Sequence, residues 1–151
     1  MGIFLRMCAI FLGIFAVFQF IPTYEKINPE IDSFLEIKAP KNVMQIFKRS
    51  CYDCHSNETR WPWYSDVAPM SWIVRRDVVN GRRALNFSEW ENYDEEKKKE
   101  LKKQIYRSVA FAMPIPQYLW THPEAKLSDD DKLIIRKWAS GGSGYMHYEV
   151  R

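Results

Sequence analysis

Cysteine and histidine are scarce in this chain, with three of each among 151 residues. Cys8 lies inside an apolar N-terminal run, so Cys51 and Cys54 are the only thiol pair in the polar part, and a disulfide-scaffolded fold is excluded. Charge of one sign is lacking too. The 22 basic residues are interspersed with 19 acidic ones, for a formal net charge of +3, so no continuous cationic surface is read and nucleic acid is not an expected partner. Convincing apolar–polar alternation, internal repeats and low-complexity tracts are also missing, and the expected class is all-α. Apolar material is plentiful. Hydrophobic residues make up 46% and aromatic ones 15%, enough for one domain's core and too much for a disordered chain.

The apolar run extends from Met7 to Ile21 with only Gln19 as an exception, and Ile3, Phe4 and Leu5 lengthen it. A spanning helix needs ~20 residues, and counting from Ile3 brings the run near that length. Phe18, Gln19, Phe20 and Ile21 offer no small residues for signal cleavage, so residues 1–22 read as an uncleaved transmembrane anchor. Cys8 reads as an ordinary apolar residue, because Leu5-Arg6-Met7 is a poor lipidation signal. Arg6 on the short side favours a cytoplasmic N-terminus, which predicts an inner-membrane location with the remainder facing the periplasm. Residues 23–40, with Pro29 and Pro40, read as a tether, 41–142 as the domain and 143–151 as a tail.

Within the domain, Val43, Met44, Ile46 and Phe47 fit one face of a short helix running into Cys51. Met70, Ile73, Val74 and Val78 predict a second helix packed into the core, with Gly81 placed to end it. A third begins near Asp94, buries Leu101, Ile105 and Val109, and stops at Met113-Pro114-Ile115-Pro116. The last opens on Ser128 with Asp131 reaching back, turns Leu133, Ile134 and Trp138 inward, and ends at Gly141-Gly142.

Cys51-Tyr52-Asp53-Cys54-His55 is a C-x-x-C-H motif. Two intervening residues let both sulfurs meet one porphyrin edge as thioethers, and the adjacent histidine then reaches the iron. Three other readings compete. A zinc site needs a fourth ligand, and His122 and His147 are single and distant. A redox dithiol needs a βαβ context, which is missing, and leaves His55 without a role. A structural Cys51–Cys54 disulfide closes only a tiny loop.

The run Ser50 to Tyr64, containing the motif and Trp61-Pro62-Trp63, closely resembles the bacterial haem-binding domain family of c-type cytochromes. Ala68-Pro69 with Ser71-Trp72, Asn86-Phe87-Ser88-Glu89-Trp90 and His122-Pro123-Glu124-Ala125 extend the resemblance over about residues 40 to 140. It implies a small cytochrome c-like helical domain around one haem c, attached at Cys51 and Cys54, with the iron held by His55 and a distal methionine of the Met-Pro segment, Met113. Met70, after Pro69, and His122 are the rival distal ligands; Met44 sits on a helix stripe, and Met146 and His147 fall in the tail. Trp61, Trp63, Trp72 and Trp90 are candidates to line the haem, and Arg60, Tyr64 or the indoles of Trp61 and Trp63 to meet a propionate. The expected function is one-electron transfer between redox partner proteins at the membrane. An enzyme is not expected, since no distal His/Arg pair can be named. A ligand sensor, or a haem enzyme subunit with a labile distal ligand, is the alternative.

Overall fold

In the computed structural model the described residues are 2–142; Met1 and the expected tail, with Met146 and His147, lie outside them. Seven α-helices and three short 3-10 turns follow one another, with no strand among the described residues. α1 is Ile3–Phe18, α2 Lys41–Ser50, α3 Tyr52–His55 and α4 Met70–Ala84. α5 is Glu95–Phe111, α6 Pro116–Leu119 and α7 Asp129–Ala139. The domain is therefore a small all-helical one.

The N-terminal expectation is corrected. α1 holds 16 residues, which at 1.5 Å per residue is about 24 Å, against about 30 Å of hydrocarbon in a bilayer. No helix among the described residues is long and apolar enough to cross a membrane. The transmembrane helix, and the inner-membrane, periplasm-facing location that rested on it, are not supported. α1 instead ends against the domain: Gln19 exchanges hydrogen bonds with the Ala68 backbone, its Oε1 accepting from the amide at 3.0 Å, and Phe18 meets Trp72 at 5.4 Å.

α2 buries Val43, Ile46, Phe47 and Ser50, one face at i, i+3, i+4 and i+7. Phe47 stacks on Phe87 at 4.6 Å and meets Trp138 edge-on, joining α2 to α7 and to the Phe87–Asn92 turn. α5 supplies Leu101, Ile105 and Val109 as predicted, under an Asp94 cap that accepts from the Lys97 amide. α7 opens on the expected Ser128–Asp131 capping box. Ile134 and Trp138 pack against the core as expected and Ile135 and Ala139 are buried, but Leu133 is turned out to solvent.

Residues 23–40 form no helix, but they are stitched to the domain. Ile37 is buried and donates its amide to the Phe87 carbonyl at 2.9 Å, the Leu35 carbonyl accepts from Glu91 at 3.0 Å, and Glu36 accepts from the Tyr52 hydroxyl at 2.7 Å.

Gly81 does not end α4, which runs on to Ala84. A Cβ at this position would stand 2.3 Å from the Cys54 carbonyl oxygen. The glycine is there so that α3, carrying the motif, can lie directly on α4.

Candidate functional site

The motif begins where α2 breaks. Cys51 leaves helical geometry, with φ −128°, and α3 restarts at once, its first turn closed by the Cys54 and His55 amides donating to the Cys51 carbonyl at 3.2 and 3.0 Å. This turn puts Cys51, Cys54 and His55 along one cavity. Neither sulfur is paired, and burial pushes both thiols up to about 12. After burial, the neighbouring thiol raises Cys51 further, and Asp53 and Asp77 raise Cys54. A redox dithiol needs a lowered thiolate, so this environment opposes that reading. Among the described residues, no three His, Cys, Asp or Glu side chains converge as a metal group.

His55 is held by the helix beneath it. Its Nδ1 lies 3.0 Å from the Gly81 carbonyl and 3.1 Å from the Leu85 carbonyl, so Nδ1 carries the proton and Nε2 keeps its lone pair. Burial holds the imidazole below its ordinary value, against the pull of those two carbonyls, which keeps the ring neutral. A neutral imidazole fixed through a carbonyl on one nitrogen is the form that ligates a metal through the other.

The loop after the motif is clamped by a polar network. Ser56 donates to the Tyr52 carbonyl at 2.8 Å, and the Asn57 amide to Ser88 Oγ at 3.0 Å. Asn86 Nδ2 donates to Asn57 Oδ1 at 2.8 Å while its own Oδ1 accepts from the Ser88 amide. Arg82 reaches the Ser56 carbonyl, Thr59 Oγ1 and Asn28 at 2.7 to 2.9 Å. The segments around Ser56-Asn57 and Asn86–Trp90, apart in sequence, are thus two halves of one buried cluster.

Two adjoining cavities, of about 410 and about 230 Å³, form a slot on the other side of the motif. α3 and α4 make one wall and residues 113–122 the other. Asp53, Cys54, Asp77, Ile115 and Tyr118 border both cavities. Asp53 was not singled out from sequence, and neither was Tyr118. The Tyr118 hydroxyl donates to Asp53 Oδ2 at 2.7 Å across the slot, and Arg60 donates to the same carboxylate from its amide, Nε and Nη2 at 3.0 to 3.1 Å. Burial pushes the Asp53 carboxyl up, but the Arg60 and Tyr118 hydrogen bonds outweigh it and hold the group below the usual carboxylate range.

Met113 borders the smaller cavity together with Cys51, Cys54 and His55. Met70 borders the larger one, as do Ile73 and Val74, so these three face the slot and not the core as expected. His122 is there too, stacked on Tyr118 at 4.2 Å with Nδ1 3.2 Å from the Tyr118 carbonyl. Arg60 and Arg76 share that cavity, so the fold assembles a histidine and two arginines that the sequence alone could not pair. The tryptophan expectation is corrected. Trp90 belongs to the core, Trp61 donates to Asn28, Trp63 is exposed and Trp72 meets Phe18; the indole at the slot is Trp120.

The slot suits a haem on its chemistry: volume in the range of cofactor pockets, mostly apolar walls, two thiols on one edge and a neutral imidazole fixed beside them. Comparison with curated proteins and with solved structures finds no significant match. The model of the family described as haem-binding domain matches residues 13–141, more than four-fifths of the chain, and the protein belongs to that haem-binding family.

Proposed function

We propose that the chain is a monohaem c-type cytochrome that carries single electrons between redox partner proteins. In this reading Cys51 and Cys54 hold one haem c by thioethers, His55 is the proximal ligand and Met113 the distal one. The observation that carries it is the His55 arrangement: an intact C-x-x-C-H turn whose imidazole is tied through Nδ1 to α4, leaving Nε2 for the iron beside two unpaired thiols. A bound haem iron would supply the one-electron chemistry. The chain's part is to fix the two axial donors and to exclude water with the apolar walls of the slot.

The choice of Met113 over Met70 rests on the walls. A second donor to a bound haem would come from the wall facing His55. His55 is tied to α4, and Met70 belongs to that same helix, whereas Met113 comes from the facing segment and shares the cavity of His55. Exposure does not separate them, at 40% for Met113 and 37% for Met70. His122 is on the facing wall but borders only the larger cavity. Met113→Ala and Met70→Ala, each in haem-loaded protein, test the assignment through the weak far-red methionine-to-iron band. Loss of the band in Met113→Ala alone, with carbon monoxide binding gained, is expected; an unchanged spectrum in Met113→Ala refutes it.

A further inference from the structure

Haem is an asymmetric molecule, with vinyl groups on one edge and two propionate carboxylates on the edge across the ring. The slot is asymmetric in the same sense. The smaller cavity, around Cys51 and His55, is lined by no arginine or lysine, while the larger has Arg60 from the loop after the motif and Arg76 from α4. We propose that these two guanidiniums are the anchors for the two propionates, Arg76 being a cofactor contact that neither the motif nor its spacing indicates. The proposal rests on the haem reading above.

Each arginine is pre-positioned by a neighbouring carboxylate and still has a nitrogen to give. Arg60 is engaged with Asp53 through Nε and Nη2 at 3.1 and 3.0 Å. Arg76 is engaged with Asp77 Oδ1 through the same two nitrogens at 3.1 and 2.9 Å. In both cases Nη1 is left for a further acceptor, and the rigid planar fork fixes where it points. Their side chains are 67% and 54% exposed, which places them at the mouth of the cavity. Carboxylates bound there stay in contact with water and escape most of the desolvation cost of a buried ion pair. Asp53 adds little repulsion, because its oxygens are already taken by Arg60 and Tyr118.

The test is resonance Raman spectroscopy of the haem-loaded protein, read at the propionate bending modes, which fall in frequency when a hydrogen bond to the carboxylate is lost. Arg76→Gln is the informative variant, since its exposed side chain can change without disturbing the core. Arg60→Lys, which keeps a cation beside Asp53, is the second. The expected result is a downshift of one propionate mode in each arginine variant, with covalent haem retained by mass. Modes identical to those of the unaltered protein in both arginine variants, with haem attached, overturn the proposal alone. Failure of the unaltered chain to hold haem overturns the proposal together with the reading it rests on.

Discussion

A methyl group at position 81 meets backbone, not a side chain that can rotate away. The ordinary gain from replacing a helical glycine by alanine is about 1 kcal/mol, but here the new atom would stand 2.3 Å from the Cys54 carbonyl oxygen. Overpacking of about 1–3 kcal/mol therefore decides the sign. Gly81→Ala is expected to lower the urea midpoint and to cut haem loading, because α3 must lift and take His55 away from its two carbonyls; a raised midpoint would show that the contact is not structural. Asp53 gives the pH dependence. Its folded value is held below the unfolded one, so its contribution is complete above about pH 4 and is lost as pH falls through the folded value. Asp53→Asn should remove that part of the acid sensitivity and, with the ionic acceptor gone, cost about 1–3 kcal/mol at neutral pH. Far-UV dichroism between pH 2 and 7 measures both, and an acid profile identical to that of the unaltered protein would contradict the assignment. That Cys51, Cys54 and His55 come together could be read from sequence because one local turn carries all three. Asp53 with Tyr118 was not, because a bond across 65 positions exists only once the slot is folded.

At the scale of elements, helix ends set by local caps were read correctly and those set by tertiary contact were not. Asp94 and Ser128 cap α5 and α7 with hydrogen bonds three residues long, which any sequence reading can see. Ser128→Ala should cost about 1 kcal/mol, read as a lower denaturant midpoint with unchanged slope, and no change would mean that the capping box is redundant. Gly81 looked like a helix stop, yet α4 passes through it because the close approach of α3 demanded a residue without a side chain. Met70, Ile73 and Val74 have the spacing of a core stripe, and spacing cannot say whether that stripe faces core or cavity. α1 was read as spanning from its composition, but its helix of 16 residues is too short.

For the whole molecule, the arrangement is two walls with a slot between them. α2, α5 and α7 build the core around Phe47, Leu101 and Ile135, and carry no candidate ligand except Met44, which packs against that core. The motif wall is fixed to that core through Tyr52 and Phe87, whose rings stack at 5.5 Å. The facing wall, residues 113–122, hangs between the end of α5 and the turn at Pro123–Ala125, joined across the slot by Tyr118. The order of elements along the chain was therefore enough to expect a helical domain with a methionine loop opposite the motif, while the pairing of Arg60, Arg76 and His122 around one cavity needed the fold. The central claim is that the slot holds a haem bonded to both cysteines. Protein produced together with a haem-attachment system should, after denaturation and acid-acetone extraction, keep its haem and exceed the polypeptide mass by one haem, while Cys51→Ala and Cys54→Ala fail to mature fully. Haem released quantitatively from the unaltered protein by the same extraction would contradict the account.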